Sequence, residues 1–171
     1  MSCSICDSIK NRENVVYEDK KIVAFLSKKP AAFGHVVIAP KQHYSIIENV
    51  PDYIVGDMFK IANKVSSAVF EIIGAEGTNI LVNNGVDAGQ KEPHVSVNVI
   101  PRRSNDNLGF NWAPKQLTEE EMSTVELILR EGAKEIGGFQ EEEKEIIETR
   151  ENPEEDDNHD SYLLRQLDRV P

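Results

Sequence analysis

The sequence predicts an antiparallel α+β domain: a five-stranded sheet with flanking helices, followed by an acidic C-terminal extension. Three observations lead there. Short apolar segments with strand character occur early and are joined by tight, polar turns. One long stretch, residues 53–73, instead repeats its apolar residues at helical spacing. The element order is strands, a long helix, strands, then a helix, which lacks the regular alternation of a doubly wound parallel sheet. At 171 residues and 39% hydrophobic side chains, the chain has material for one core.

The first element is a short helix over residues 4–10, beginning inside the Cys3/Cys6 pair. Strands follow over 15–18 and 22–26, joined through Asp19-Lys20-Lys21. A loop containing Pro30 leads to Gly34 and a third strand, 35–39, which Pro40 is expected to stop. In the long helix, Ile54, Met58, Ile61, Ala62, Val65, Val69, Ile72 and Ile73 share one stripe, and Gly74 and Gly77 end it. Residues 80–83 and 94–100 supply the fourth and fifth strands, the latter closed by Pro101. A last helix spans 118–136, with Thr118 as its cap, Glu121 as the capping-box partner and Gly137-Gly138 as its stop.

Charge is unevenly spread. Of the net −11, residues 139–160 supply −9, with 11 acidic and 2 basic side chains, while residues 1–138 come to only −3. The body is thus nearly balanced and carries no one-sided basic footprint of a general nucleic-acid binder. We place the domain at 1–138, and read 139–171 as an acidic, solvated linker with a short amphipathic segment at 162–170. The longest apolar runs fall far short of the ~20 residues of a membrane span, and the N-terminus has no secretory pattern. A cytoplasmic location is expected.

One strand carries the functional question. In His94-Val95-Ser96-Val97-Asn98-Val99-Ile100-Pro101-Arg102, alternation sends the valines to one face and His94, Ser96 and Asn98 to the other. Upstream stand Asn83-Asn84-Gly85 and Ala88-Gly89-Gln90, and further back Gly34-His35-Val36-Val37-Ile38-Ala39-Pro40-Lys41-Gln42-His43. Together these resemble the histidine-triad family of nucleotide hydrolases and transferases, whose strand alternates three histidines with apolar residues before Pro-Arg. In that register His94, Ser96 and Asn98 stand first, second and third.

The resemblance implies a sheet with flanking helices, pairing into a homodimer, and a groove where a nucleotide's phosphates meet the strand. It implies ligand contacts from His35, Asn83, Gln90, Ser96 and Asn98, with His35 near the triad. Where the family offers Asp or Asn to ribose hydroxyls, this chain has Ser27. In the family the middle histidine attacks phosphorus to form a covalent nucleotidyl-imidazole. Ser96 holds that place, and a serine hydroxyl needs an adjacent base to become a nucleophile. His94, two residues along the strand, is roughly 6–7 Å away, and His35 is the other candidate in the body.

The lone C-x-x-C, Cys3 and Cys6, lacks the βαβ context of a redox motif. In many bacterial and archaeal members such a pair joins two histidines, here His43 and His94, around a structural zinc; two thiolates and two imidazoles close a tetrahedral site. The resulting reading is a zinc-stabilised, degenerate histidine-triad domain without covalent nucleotidyl transfer that binds nucleotides or other phosphorylated ligands. Two alternatives stand beside it. One is an active hydrolase or nucleotidyltransferase with altered chemistry; the other is a scaffold that recruits a protein partner through the tail.

Overall fold

Strand alternation sorts apolar residues onto two faces, and in the central strands of this protein both faces are covered. The computed structural model describes residues 3–136. Five strands, β1 (Val15–Glu18), β2 (Ile22–Leu26), β3 (Val36–Pro40), β4 (Gly77–Leu81) and β5 (Val97–Arg102), form one sheet in the order β1-β2-β3-β5-β4. Every neighbouring pair is antiparallel. With helices α1 (Ser4–Asn11), α2 (Asp52–Ile73) and α3 (Glu119–Gly132), this is the predicted α+β class.

On one face Ile22, Ala24, Val36, Ile38, Val97 and Val99 pack with Ile54, Met58 and Ala62 of α2. On the other, Val23, Phe25, Val37 and Ala39 pack with Cys3 and Ile5 at the start of α1. This double coverage explains why β3, buried throughout, reads as a continuous apolar run rather than an alternating one. The α2 stripe is narrower than predicted, because Ile72 is 82% exposed. Ser66 interrupts it as a buried polar residue, satisfied by Thr78 Oγ1 at 2.6 Å.

Several boundaries differ from the sequence expectation, for identifiable reasons. Pro40 lies inside β3, and Pro101 inside β5. Each faces a partner strand across one edge only: Pro40 opposite Ile22, Pro101 opposite Thr78. The missing N–H therefore costs no ladder bond on the other edge. β5 begins at Val97 rather than His94 because its ladder with β3 ends at the Ile38–Val97 pair. Beyond it, Val95 N donates instead to Tyr44 O at 2.8 Å. Gly74 alone closes α2, at φ +70, a left-handed conformation that glycine adopts without a Cβ penalty. Gly77 instead opens β4 opposite Arg102, and β4 runs 77–81 rather than 80–83.

α3 starts as predicted, with a complete Thr118/Glu121 capping box, but ends at Gly132 and passes into a single 3-10 turn, Ala133–Glu135. It buries none of its residues, leaving Met122, Val125 and Leu129 exposed. Among the described residues, no helix is long and apolar enough to cross a membrane. The expected domain boundary at 138/139, the acidic linker and the 162–170 segment lie outside the described residues.

Candidate metal corner and ligand groove

Four donors meet where α1 begins, just past the end of β3 and just ahead of β5. Cys3 caps α1, its sulfur accepting from Cys6 N at 3.5 Å, which brings both sulfurs to one side of the first turn. His94 Nδ1 lies 3.5 Å from Cys3 Sγ and 3.4 Å from Cys6 Sγ, and His43 Nδ1 lies 3.3 Å from Cys6 Sγ. All four ligand atoms fall within 4.8 Å of one another. A tetrahedron with metal–sulfur and metal–nitrogen bonds of about 2.0–2.3 Å has edges of roughly 3.5 Å, so the set fits a four-coordinate ion.

Hydrogen bonding around the corner fits the same role. His94 Nε2 donates to Pro40 O at 3.0 Å, which leaves the Nδ1 lone pair facing the sulfurs. The two imidazoles stand edge to face, with centroids 5.0 Å apart. Burial and the adjacent Cys3 thiol push the Cys6 thiol up to about 11, so two thiolates cannot share this corner cheaply without a cation. Burial likewise pushes His94 down, towards the neutral form that ligates metal.

Next to this corner a groove with a cavity of about 520 Å³ opens on the α1 face of the sheet. The predicted polar row is real: His94, Ser96 and Asn98 all line the cavity, while Val95, Val97 and Val99 enter the core beneath. His35, Asn83, Gln90 and Ser27 line it too, so the structure brings every sequence-predicted groove residue together.

The histidines are committed elsewhere than to Ser96. Ala31 N donates to His35 Nδ1 at 3.1 Å, so the ring proton sits on Nε2, which donates to Asn98 Oδ1 at 3.1 Å. Burial pushes the His35 pKa down, opposed by the contact with Asn98. His94 is turned to the cysteines and Pro40. The half-buried Ser96 hydroxyl hydrogen-bonds to none of the described residues.

Gln90 is fully occupied as a loop brace. It accepts from Gly85 N at 2.8 Å and donates to Ser45 O at 2.6 Å and Glu92 O at 2.9 Å. Asn83 donates to Gly89 O at 3.4 Å.

Sequence reasoning missed part of the lining: Lys28, Lys29, Lys91, Glu92 and the aromatic walls Phe25 and Phe110. A lysine pair directly after Ser27 was the available signal. Arg102 spends its guanidinium on Asp106, Asn79 and Leu108 O. It also sits 5.2 Å from the Phe110 ring centroid and so braces that wall. The guanidinium holds the Asp106 carboxyl well below the usual range. Trp112 belongs to no core, being 84% exposed.

The five-stranded antiparallel sheet with its flanking helices is shared with a solved HIT family protein from Bacillus subtilis, which superposes with a TM-score of 0.71 at 26% identity, covering 77% of this chain and 96% of that one. The HIT domain is matched over residues 9–105, and the chain belongs to the HIT family. It is 34% identical over 117 residues to the adenylylsulfatase of Arabidopsis thaliana, covering 67% of this chain and 58% of that protein. It is 31% identical over 128 residues to the adenosine 5′-monophosphoramidase of Schizosaccharomyces pombe, covering 73% of this chain and 93% of that protein. The chain thus spans less than two thirds of the plant enzyme. Among solved structures, a zinc-bound histidine triad family protein from Mycobacterium smegmatis superposes with a TM-score of 0.60 at 29% identity, covering 78% of this chain and 99% of that one.

Proposed function

We propose that this chain is a zinc-stabilised HIT domain that binds a phosphorylated, nucleotide-type ligand in its groove without forming a covalent nucleotidyl intermediate. The observation that carries the reading is the isolation of Ser96. It occupies the place of the attacking imidazole, and both nearby histidines are spent, His35 between Ala31 N and Asn98, His94 on the cysteines and Pro40. A hydroxyl without a base in reach stays protonated at neutral pH and does not attack phosphorus.

Zinc, when bound, supplies a fixed tetrahedral node with no open position, a structural rather than catalytic centre. Cys3, Cys6, His43 and His94 would hold it, tying α1 to the strand that floors the groove. Ligand binding does not need the missing ring. Asn98, its Oδ1 held by His35, turns its amide N–H groups toward Leu81 O and the cavity, and Lys29 and Lys91 supply positive charge at the walls. Adenosine phosphates are the ligand class that the names of the two relatives suggest.

The test combines calorimetric titration with AMP and turnover assays on adenosine 5′-phosphoramidate and adenylyl sulfate. AMP binding with no hydrolysis above buffer, and no nucleotidyl adduct in intact-mass spectra, is expected. Turnover, or an adduct mapped to Ser96 or His35, overturns the reading. We also propose a homodimer, supported by the exposed apolar row Met122, Val125 and Leu129 on α3. A monomer in sedimentation at micromolar concentration would refute it.

A further inference from the structure

We infer that the groove has two anion-recognising ends and selects a nucleotide whose ribose itself carries a phosphate over a plain 5′-nucleotide. This rests on the groove being a nucleotide site. The starting point is a charge contrast. The chain carries −11 overall, yet the cavity is lined by three lysines and a single carboxylate, Glu92, which accepts from Ser4 N at 3.2 Å. Locally the groove is an anion site on an acidic protein.

The cations stand on two separate sides. Lys91 adjoins Glu92, which accepts from Ser4 N at the start of α1, while Lys28 and Lys29 follow Ser27 just past β2 and Lys28 is ion-paired to Glu13 just past the end of α1. Ser27 N donates to His35 O at 2.9 Å, which sets Ser27 beside the start of β3, and Val37 of β3 faces Asn98 of β5. Ser27 is therefore two strands away from the polar row, about 10 Å at ordinary strand spacing. One phosphate cannot reach both ends; a sugar phosphorylated at two positions can.

The chemistry of the β2 side decides what it accepts. A sugar diol is recognised by a carboxylate that accepts from its hydroxyls, and a phosphate in the same place is recognised by donors and positive charge. Here Ser27 Oγ already accepts from Lys29 N at 3.2 Å, so its own proton is free to donate into the groove. Lys28 is held by Glu13, whereas Lys29 has no ion-pair partner among the described residues. No carboxylate lines the cavity on this side. The β2 end thus offers a hydroxyl donor and an unpaired ammonium, a set that suits a phosphate and leaves a diol without its acceptor.

The experiment is calorimetric titration of the zinc-replete full chain with AMP, ADP, adenosine 3′,5′-bisphosphate and adenosine 2′,5′-bisphosphate. ADP controls for charge, since its extra phosphate extends from the 5′ end. One of the two ribose bisphosphates should bind at least about tenfold tighter than both AMP and ADP, the gain of one charge-assisted contact. Lys29→Met, or Lys29→Gln as a milder second variant, should bring that preference close to one. If AMP binds and both bisphosphates bind no better, or if ADP matches them, the second end is refuted while the groove reading stands. If the preference survives both variants, its assignment to Lys29 is wrong. If no nucleotide binds, the groove reading fails, and this inference with it.

Discussion

Two neighbours in one polar row, His94 and Ser96, lie only one alternation apart and meet opposite fates. At His94 every polar atom is used: Nδ1 faces two sulfurs, Nε2 donates to Pro40 O, and His43 completes the set. At Ser96 the hydroxyl touches none of the described polar groups. The corner gathers four donor atoms within 4.8 Å of one another, while in the groove the Ser96 hydroxyl has no hydrogen-bond partner among the described residues. A histidine on this segment can therefore serve the cysteine corner, and its presence alone says nothing about nucleophilic chemistry.

The largest effect is expected at the corner. Metal analysis should give one zinc per chain, and removing the ion with a chelator, or Cys6→Ser, should lower Tm by about 10 °C or more, because the ion's binding free energy is folding free energy. Ser96→Ala should shift Tm by no more than about 2 °C, since it removes no described contact. Equal shifts from the two variants, or metal-free protein of full stability, would erase the contrast.

Next in size is a gain of function in the groove. Ser96→His combined with Asn98→His should raise AMP release from adenosine 5′-phosphoramidate at least about tenfold above the unaltered chain, and Asn98→His alone should not, because nucleophile loss costs orders of magnitude. Failure of the double variant, with its fold and zinc intact, would mean that the groove lacks more than a ring.

A smaller effect concerns His35. Burial holds its folded pKa below the ordinary 6.5. Below about 6.5 the unfolded chain therefore binds the proton first, and stability falls as pH drops from there towards the folded pKa. The stability gap between the unaltered protein and His35→Gln should narrow from pH 7 to pH 5 in chemical denaturation. A gap independent of pH would show that His35 is not the buried neutral ring described above.

The smallest effect is expected far from both regions. Thr118→Ala removes the hydroxyl that caps α3 and should destabilise that helix by about 1 kcal/mol, read as lost helical circular dichroism. Zinc content and AMP affinity should not change. If either did, α3 would have to be coupled to the groove.

Much of this was legible before any coordinates. The i, i+2 alternation of residues 94–100 correctly separated three core valines from three polar groups on the groove face, even though the ladder begins only at Val97. Less legible were the prolines. A proline stops a strand only when its N–H side meets a partner, and that depends on which edge is paired. Lys29 and Lys91 drew no expectation, because nothing local in the sequence distinguishes a lysine beside a groove from one facing bulk water. Arg102 was visible as a cation, but its commitment to Asp106 depends on a tight turn four residues long.

What the sequence by itself determined is chemical identity and local direction. It shows that no imidazole stands at position 96, that two sulfurs sit one helical turn apart, and which side chains share a strand face. These follow from residue type and backbone periodicity, which act over a few residues. Only the tertiary structure decided convergence. Cys3 meets His94 across 91 positions, and His35 reaches Asn98 across 63. Such meetings are set by sheet order, register and the burial of α1 on one face, none of which is encoded in neighbouring residues. The physical reason is that long-range pairing is a property of the packed sheet as a whole. Neither the closed corner nor the isolated serine exists until β3 lies beside β5.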